Sequence, residues 1–188
     1  MRSALPKVLH CIAGQAMLKH VVRTASKLQP QKIHVVYGHG GDLVREQLAD
    51  LDVEWVQQAQ QLGTGHAVAQ ALPSVPDNAQ VVVLYGDVPL IEQETLSRTV
   101  RLAHAGSLAL ITAHLDDPQG YGRIVRDADA RVIGIVEHRE ASAEQLAITE
   151  WNTGILAANA GSLRRWLKAL DSDNSQGDFY LTDVAAMA

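Results

Sequence analysis

Asp87 is the residue whose type and place are best suited to chemistry in this chain of 188 residues. It follows Val-Val-Val-Leu-Tyr at residues 81–85, a continuous apolar run of the kind buried on both faces of a parallel sheet. Gly86 and Asp87 end that run, and Pro89 cannot join a sheet ladder. A carboxylate just past the carboxyl end of a central strand stands where open α/β sheets bind their ligands. It can hold Mg²⁺ and, through the ion, a phosphate. The competing role is a cap on the helix that follows. A second feature is the loop Gln-Ala-Gln-Gln-Leu-Gly-Thr-Gly-His-Ala at residues 58–67, where Gly63 and Gly65 flank Thr64. Such glycines let a backbone pass close to a ligand, or simply make a flexible connector. A third is charge. No Asp or Glu precedes Asp42, whereas Arg2, Lys7, Lys19, Arg23, Lys27 and Lys32 all do. A basic end suits an anionic ligand, although Lys19, Arg23 and Lys27 read better as the solvated face of a helix.

The composition places these residues in one soluble globular domain, 47% apolar and 20% charged. A net charge of −5 gives no reason to expect nucleic-acid binding. No apolar run is long enough to span a bilayer, and residues 1–18 lack the apolar core of a signal peptide. Cys11 is the single cysteine, which excludes a disulfide framework and a cysteine-based zinc site. The expectation is a cytoplasmic protein with no membrane partner.

The elements that must carry the candidate residues alternate between strand and helix. Pro6 keeps the residue before it extended. An amphipathic helix is expected over residues 15–28, with Met17, Leu18, Val21, Val22, Ala25 and Leu28 inward. Pro30 stops it. Residues 32–37 read as a buried strand, 38–41 as a turn, and Asp42 as the N-cap of a helix reaching residue 51. A short strand over 53–57 leads into the glycine loop and a helix that ends before Pro73. The strand over 80–85 precedes a helix over 91–104, closed at residues 105–106, and a strand over 108–114. The pattern then changes. Short strands over 123–126 and 132–136 surround Asp127-Ala128-Asp129-Ala130 and read as a hairpin-like insertion. A polar, helical stretch starts at 137–140. A strand over 151–158, a helix over 163–170, a loop over 171–177 and a helix from 181 to 187 complete the chain. The fold class expected is a three-layer, Rossmann-like α/β arrangement, its sheet mostly parallel with a small β insertion.

Four pieces now stand in one order: Leu5-Pro6-Lys7, residues 58–65, Tyr85-Gly86-Asp87-Val88-Pro89, and Gly120-Tyr121-Gly122-Arg123 with Glu137 and Asn152-Thr153-Gly154. Together with Leu-Pro-Lys-Val-Leu-His, Tyr-Gly-His-Gly-Gly-Asp, Gln-Leu-Gly-Thr-Gly-His-Ala and Val-Glu-His, they closely resemble the uridylyltransferase domain of the bacterial bifunctional enzymes that make UDP-N-acetylglucosamine. The resemblance runs over essentially the whole chain. It implies a nucleotidyltransferase fold and a transfer of UMP from UTP to N-acetylglucosamine-1-phosphate, releasing pyrophosphate, with Mg²⁺ as cofactor. Such a step needs charge neutralisation and in-line placement more than a protein nucleophile. It further implies a place in the synthesis of peptidoglycan and lipopolysaccharide precursors, and a homotrimer for the full-length enzyme.

Position by position, the resemblance assigns Asp87 to metal binding and Lys7 to phosphate. It makes Gln58 the uracil-reading side chain, whose amide can both donate and accept. Gly63 and Thr64 match the loop against the base, and Tyr85 and Gly86 the nucleotide-contacting strand end. Gly122, Glu137 and Asn152 match positions that bind the sugar. Each residue also has an ordinary role open to it: Lys7 as an exposed helix-entry lysine, Glu137 as a strand-end surface charge, Asn152 as a turn former.

The chain departs from the family in two places. It starts after the family's glycine-rich Leu-Ala-Ala-Gly-x-Gly-Thr-x-Met loop, so the triphosphate cradle and the sheet's first strand are expected to be missing. It stops before the family's second metal ligand, an asparagine, and before the hexapeptide-repeat β-helix that carries the acetyltransferase. A fragment truncated at both ends, with little or no turnover alone, is the expectation. The alternatives are another sugar-1-phosphate nucleotidyltransferase and a non-catalytic nucleotide-sugar-binding remnant. An NAD-binding protein is disfavoured, because no G-x-G-x-x-G follows a strand.

Overall fold

The computed structural model describes residues 5–103 and 106–188. A 3-10 turn over Lys7–Leu9 leads to strands β1 (Cys11–Ile12) and β2 (Gln15–Ala16), helix α1 (Met17–Ser26), β3 (His34–Tyr37), α2 (Gly41–Gln47) and β4 (Glu54–Gln57). Then come α3 (Thr64–Ala71), a 3-10 turn over Leu72–Ser74, β5 (Gln80–Val83), α4 (Gln93–Leu102) and β6 (Leu108–His114). The hairpin β7 (Arg123–Arg126) and β8 (Val132–Val136), helix α5 (Ala143–Leu146), β9 (Glu150–Asn159), α6 (Ala160–Ala169) and a 3-10 turn over Leu181–Ala186 follow. The expected segment at residues 1–4, Arg2 included, and the helix end at 104–105 lie outside the described residues. No helix among the described residues is long and apolar enough to cross a membrane.

Two compact units form, one from the described part of Met1–Gln61 with Leu84–Arg98, the other from Leu62–Val83 with Thr99–Ala188. In the first, β3 and β4 pair in parallel, His34 opposite Glu54 and Tyr37 opposite Gln57. Their apolar residues share a core with Leu9, Leu18, Val22, Val44 and Leu48. Helix α1 buries Met17, Leu18, Val21 and Val22, as its 3.6-residue spacing requires. It starts two residues later than expected, because Gln15 and Ala16 pair with Ile12 and Cys11. Ala13 and Gly14 both take positive φ, 48° and 79°, which is the two-residue hairpin turn that fits strand twist. Asp42 is not the cap of α2. Gly40, with φ 74°, takes that place, and Asp42 lies in the first turn, where a carboxylate suits the helix dipole.

In the second unit β9 is the central strand. β6 runs antiparallel along one side of it. β5 and β7 share the other side, β5 against residues 156–159 and β7 at Trp151, both antiparallel. The α/β class is therefore as expected, but the pairing is mixed, and among the described strands only β3 and β4 pair in parallel. Among the described strands β5 pairs with β9 alone, so there the run before Asp87 lies at the edge of its sheet and not at its centre. Strand alternation sends Leu156 and Ala158 to one face, against Leu163, Trp166, Leu170, Leu181 and Val184. Ala157, Val82 and Ala109 turn to the other, against Ala103. The β7–β8 insertion forms with the expected boundaries. The Asp127 carboxylate accepts from the N–H groups of Asp129 and Arg131, at 3.0 and 2.8 Å, and closes its turn. Residues 137–140 form a turn rather than a helix start. The helix begins at Ala143, where Ser142 and Gln145 form a capping box. Asn159 caps α6 through Gly161 N–H at 3.0 Å, so that helix begins three residues before its expected start.

Candidate active site

In the first unit Lys7 and Asp87 form an ion pair, with the lysine side chain 60% and the carboxylate 28% exposed. The contact depends on Gly86. A Cβ there would lie 3.2 Å from both Val8 Cγ1 and Leu18 Cδ1, so residues 85–88 lie close on the start of the chain. Val88 N–H donates to the Tyr85 carbonyl at 3.1 Å and turns the segment, presenting Asp87 beside Lys7. Helix α4 begins only at Gln93, so Asp87 does not cap it. Gln58 stands at the carboxyl end of β4, its N–H donating to the Tyr37 carbonyl at 2.8 Å. The rest of the basic end is largely committed. Lys19 pairs with Asp50 at 2.7 Å, Lys32 pairs with Glu54, and Arg23 donates to Gln15 at 2.9 Å.

The donor set around Asp87 fits Mg²⁺. It is one hard, partly exposed carboxylate, which suits an ion that keeps several waters and takes other ligands from substrate phosphates. Among the described residues no group of three His, Cys, Asp or Glu gathers to hold a metal alone. The groove lined by Asp42, Arg45, Glu46, Ala49 and Trp55 contains none of the predicted residues.

In the second unit Gly63 takes φ 98°, and a Cβ there would fall 2.6 Å from the Phe179 carbonyl oxygen. Gly65 N–H donates to that carbonyl at 2.8 Å, and Phe179 N–H donates to Leu62 at 2.9 Å. Thr64 Oγ1 accepts from Leu181 N–H at 3.0 Å. The glycine loop is thus strapped to residues 179–181, and its glycines are required by that backbone. Gly122, Glu137 and Asn152 lie close together. Asn152 N–H donates to the Gly122 carbonyl at 2.9 Å, and a Cβ on Gly122 would lie 3.5 Å from both Glu137 oxygens. Asn152 Oδ1 accepts from Gly154 N–H at 3.0 Å, where Gly154 has φ 80°, and Asn152 stands within β9, beside the irregularity in its pairing with β6, and not in a turn. Glu137 is no loose surface charge, for Thr182 Oγ1 donates to it at 2.9 Å.

Sequence reasoning gave no role to Thr182 or Asp183, nor to Arg123, although Arg123 closes the Gly120–Arg123 piece. Burial, then Asp171 and Glu137, raises the Asp183 carboxyl above the usual aspartate value of 3.8. Thr182 and Glu137 stand 45 residues apart, and no local pattern joins them. Of the predicted residues, the first unit holds Lys7, Gln58, Tyr85, Gly86 and Asp87, and the second Gly63, Thr64, Gly122, Glu137 and Asn152.

The family described as the MobA-like NTP transferase domain matches residues 1–180. The chain is 62% identical over 188 residues to the bifunctional protein GlmU of Azotobacter vinelandii, and 59% to that of Pseudomonas fluorescens. Each match covers 100% of this chain and 41% of the relative, so the chain spans about two fifths of the curated relatives it matches. A solved UDP-glucose pyrophosphorylase, complexed with UDP-glucose, superposes with a TM-score of 0.75 at 14% identity, covering 97% of this chain and 78% of that one. Its apo counterpart gives 0.74 at 13% identity, with the same coverage of both chains. These two likenesses establish the fold.

Proposed function

The chain belongs to the MobA-like NTP transferase domain family, and from that premise we propose that it transfers UMP from UTP to N-acetylglucosamine-1-phosphate, giving UDP-N-acetylglucosamine and pyrophosphate. The observation that carries the reading is the Lys7–Asp87 pair, a cation and a metal-competent carboxylate held together by the close approach of Gly86 to Val8. The identity of about 60% to bifunctional GlmU proteins supports the choice of substrates. Residues 1–188 act as one nucleotidyltransferase domain. The proposed setting is the cytoplasm and the synthesis of peptidoglycan and lipopolysaccharide precursors, with a homotrimer for the full-length protein.

In the proposed reaction a phosphate oxygen of the sugar phosphate bonds to the α-phosphorus of UTP. The bond from that phosphorus to the oxygen bridging to the β-phosphorus breaks, and pyrophosphate leaves with the electron pair. The attacking oxygen is already anionic, so no general base is needed. Lys7 offsets the phosphate charge as a compact cation. Asp87 would hold Mg²⁺, which supplies charge neutralisation and a template for the phosphates. Gln58 accepts from and donates to the uracil edge, with Gly63 and Thr64 against the base and Tyr85 and Gly86 along the nucleotide. Gly122, Glu137 and Asn152 receive the sugar hydroxyls and acetamido group.

Calorimetry with UTP, CTP and ATP in Mg²⁺ tests the base, and tighter binding of CTP or ATP removes the uridylyl reading. Lys7→Met tests the pair. An exposed ion pair is worth only about 0–1 kcal/mol of stability, so the urea midpoint should hardly move. UTP affinity should fall by at least about tenfold, the effect of losing some 1.4 kcal/mol. Unchanged UTP binding in that variant would remove Lys7 from the site.

A further inference from the structure

Arg123 is 1% exposed, the one charged side chain among the buried polar residues described. Its Nη1 donates to the carbonyls of Pro118 and Tyr121, at 2.7 and 2.5 Å. Its Nε is buried with no partner. Among the described residues no carboxylate stands within ion-pair distance of it. A buried ion with no counter-charge costs several kcal/mol, and an apolar side chain of similar volume would fill the place at less expense. The guanidinium must therefore be judged by what it holds.

It holds the turn that delivers Gly122. That turn is closed by Tyr121 N–H donating to Pro118 at 3.1 Å and passes through Gly120 at φ 85°. Arg123 ties two carbonyls of the turn to the first residue of β7. It sits opposite Val136 and Trp151 in register, and the Trp151 ring packs on Tyr121 with centroids 4.2 Å apart. Gly122 immediately precedes β7; its carbonyl accepts from Asn152 N–H at 2.9 Å, and a Cβ there would lie 3.5 Å from both Glu137 oxygens. By holding the carbonyls of Pro118 and Tyr121, the guanidinium fixes the turn that sets where Gly122 stands against Glu137 and Asn152. We infer that Arg123 is a positioning residue for the sugar moiety, acting through the 118–122 turn. This rests on the proposed function, which gives Gly122, Glu137 and Asn152 to the sugar.

The test is calorimetry in Mg²⁺ on the full chain, with UDP-N-acetylglucosamine and UTP as separate probes, and urea unfolding beside it. Arg123→Lys keeps the charge and loses the fork. A misplaced contact costs about tenfold to a hundredfold, so the variant should bind UDP-N-acetylglucosamine that much more weakly, with UTP affinity within about twofold of the unmodified chain. Equal weakening of both probes, or of neither, would overturn the inference. If Arg123→Lys does not fold, Gly120→Ala decides. A Cβ there meets nothing within 4 Å, so the substitution strains only the clamped turn. The same split in affinities supports the clamp, and its absence refutes it. An unmodified chain that binds UTP but not UDP-N-acetylglucosamine overturns the sugar assignment itself, and this inference with it.

Discussion

Replacing Glu150 by glutamine isolates the strongest polar contact at the start of the central strand. The Glu150 carboxylate accepts from Arg126 Nε at 2.8 Å, from Arg126 Nη2 at 2.7 Å and from Thr112 Oγ1 at 2.7 Å. It thereby joins β6, β7 and β9. The Arg126 hydrogen bonds, helped by Thr112, hold its carboxyl at about 2, against 4.5 for an ordinary glutamate. At about 1.4 kcal/mol per pKa unit, that difference corresponds to roughly 3 kcal/mol. Glu150 is 12% exposed but Arg126 is 38% exposed, and water screens the arginine, which brings the expected contribution to about 2 kcal/mol. The folded value is depressed, so the stabilisation is complete above pH 4.5 and is lost as pH falls through about 2. Urea unfolding of the parent and of Glu150→Gln should differ by about 1 M in midpoint at pH 7, given a slope of about 2 kcal/mol/M. The gap should close steadily below pH 4.5. A gap that is the same at pH 7 and pH 3 would show that the charge is not what stabilises the joint, and a gap under about 0.3 M would show that solvent already screens it.

Two further substitutions probe other parts of the second unit. Gly63→Ala places a Cβ 2.6 Å from a backbone oxygen at φ 98°, so it should lower stability by about 3 kcal/mol in urea unfolding, and a loss under 1 kcal/mol would mean that residues 179–181 yield easily. Asp183→Asn should raise the urea midpoint at pH 7. The raised carboxyl penalises the folded state above its own titration, and the advantage should vanish below the unfolded value of 3.8. A destabilised variant at pH 7 would show that the ionised carboxylate makes contacts that outweigh its burial.

What could be read from the chain alone divides by distance along it. Helix α1 and the β7–β8 hairpin were legible because their signals are local, a 3.6-residue apolar period in one and an Asp-centred turn in the other. The central place of β9 was not. Val81–Val83 reads the same whichever strand lies beside it, and its partner at residues 156–158 is more than 70 residues away. Strand β2 was absorbed into the expected helix and β1 was not read at all, because two residues per strand carry no period.

The glycines teach a different point. Gly63, Gly86 and Gly122 could each have marked a backbone approached by a ligand. In the fold each is approached by protein, by Phe179, by Val8 and Leu18, and by Ile135 with Glu137. Thr64 and Asn152 likewise have protein partners, in Leu181 N–H and Gly154 N–H. These contacts are compatible with the proposed roles. A side chain or carbonyl fixed by its own neighbours loses little freedom when a nucleotide or sugar arrives, and that saved entropy is what a preorganised site contributes to binding. The residues that set a site can therefore look purely structural in the fold, and a buried guanidinium beside a glycine can matter as much as the carboxylate near it.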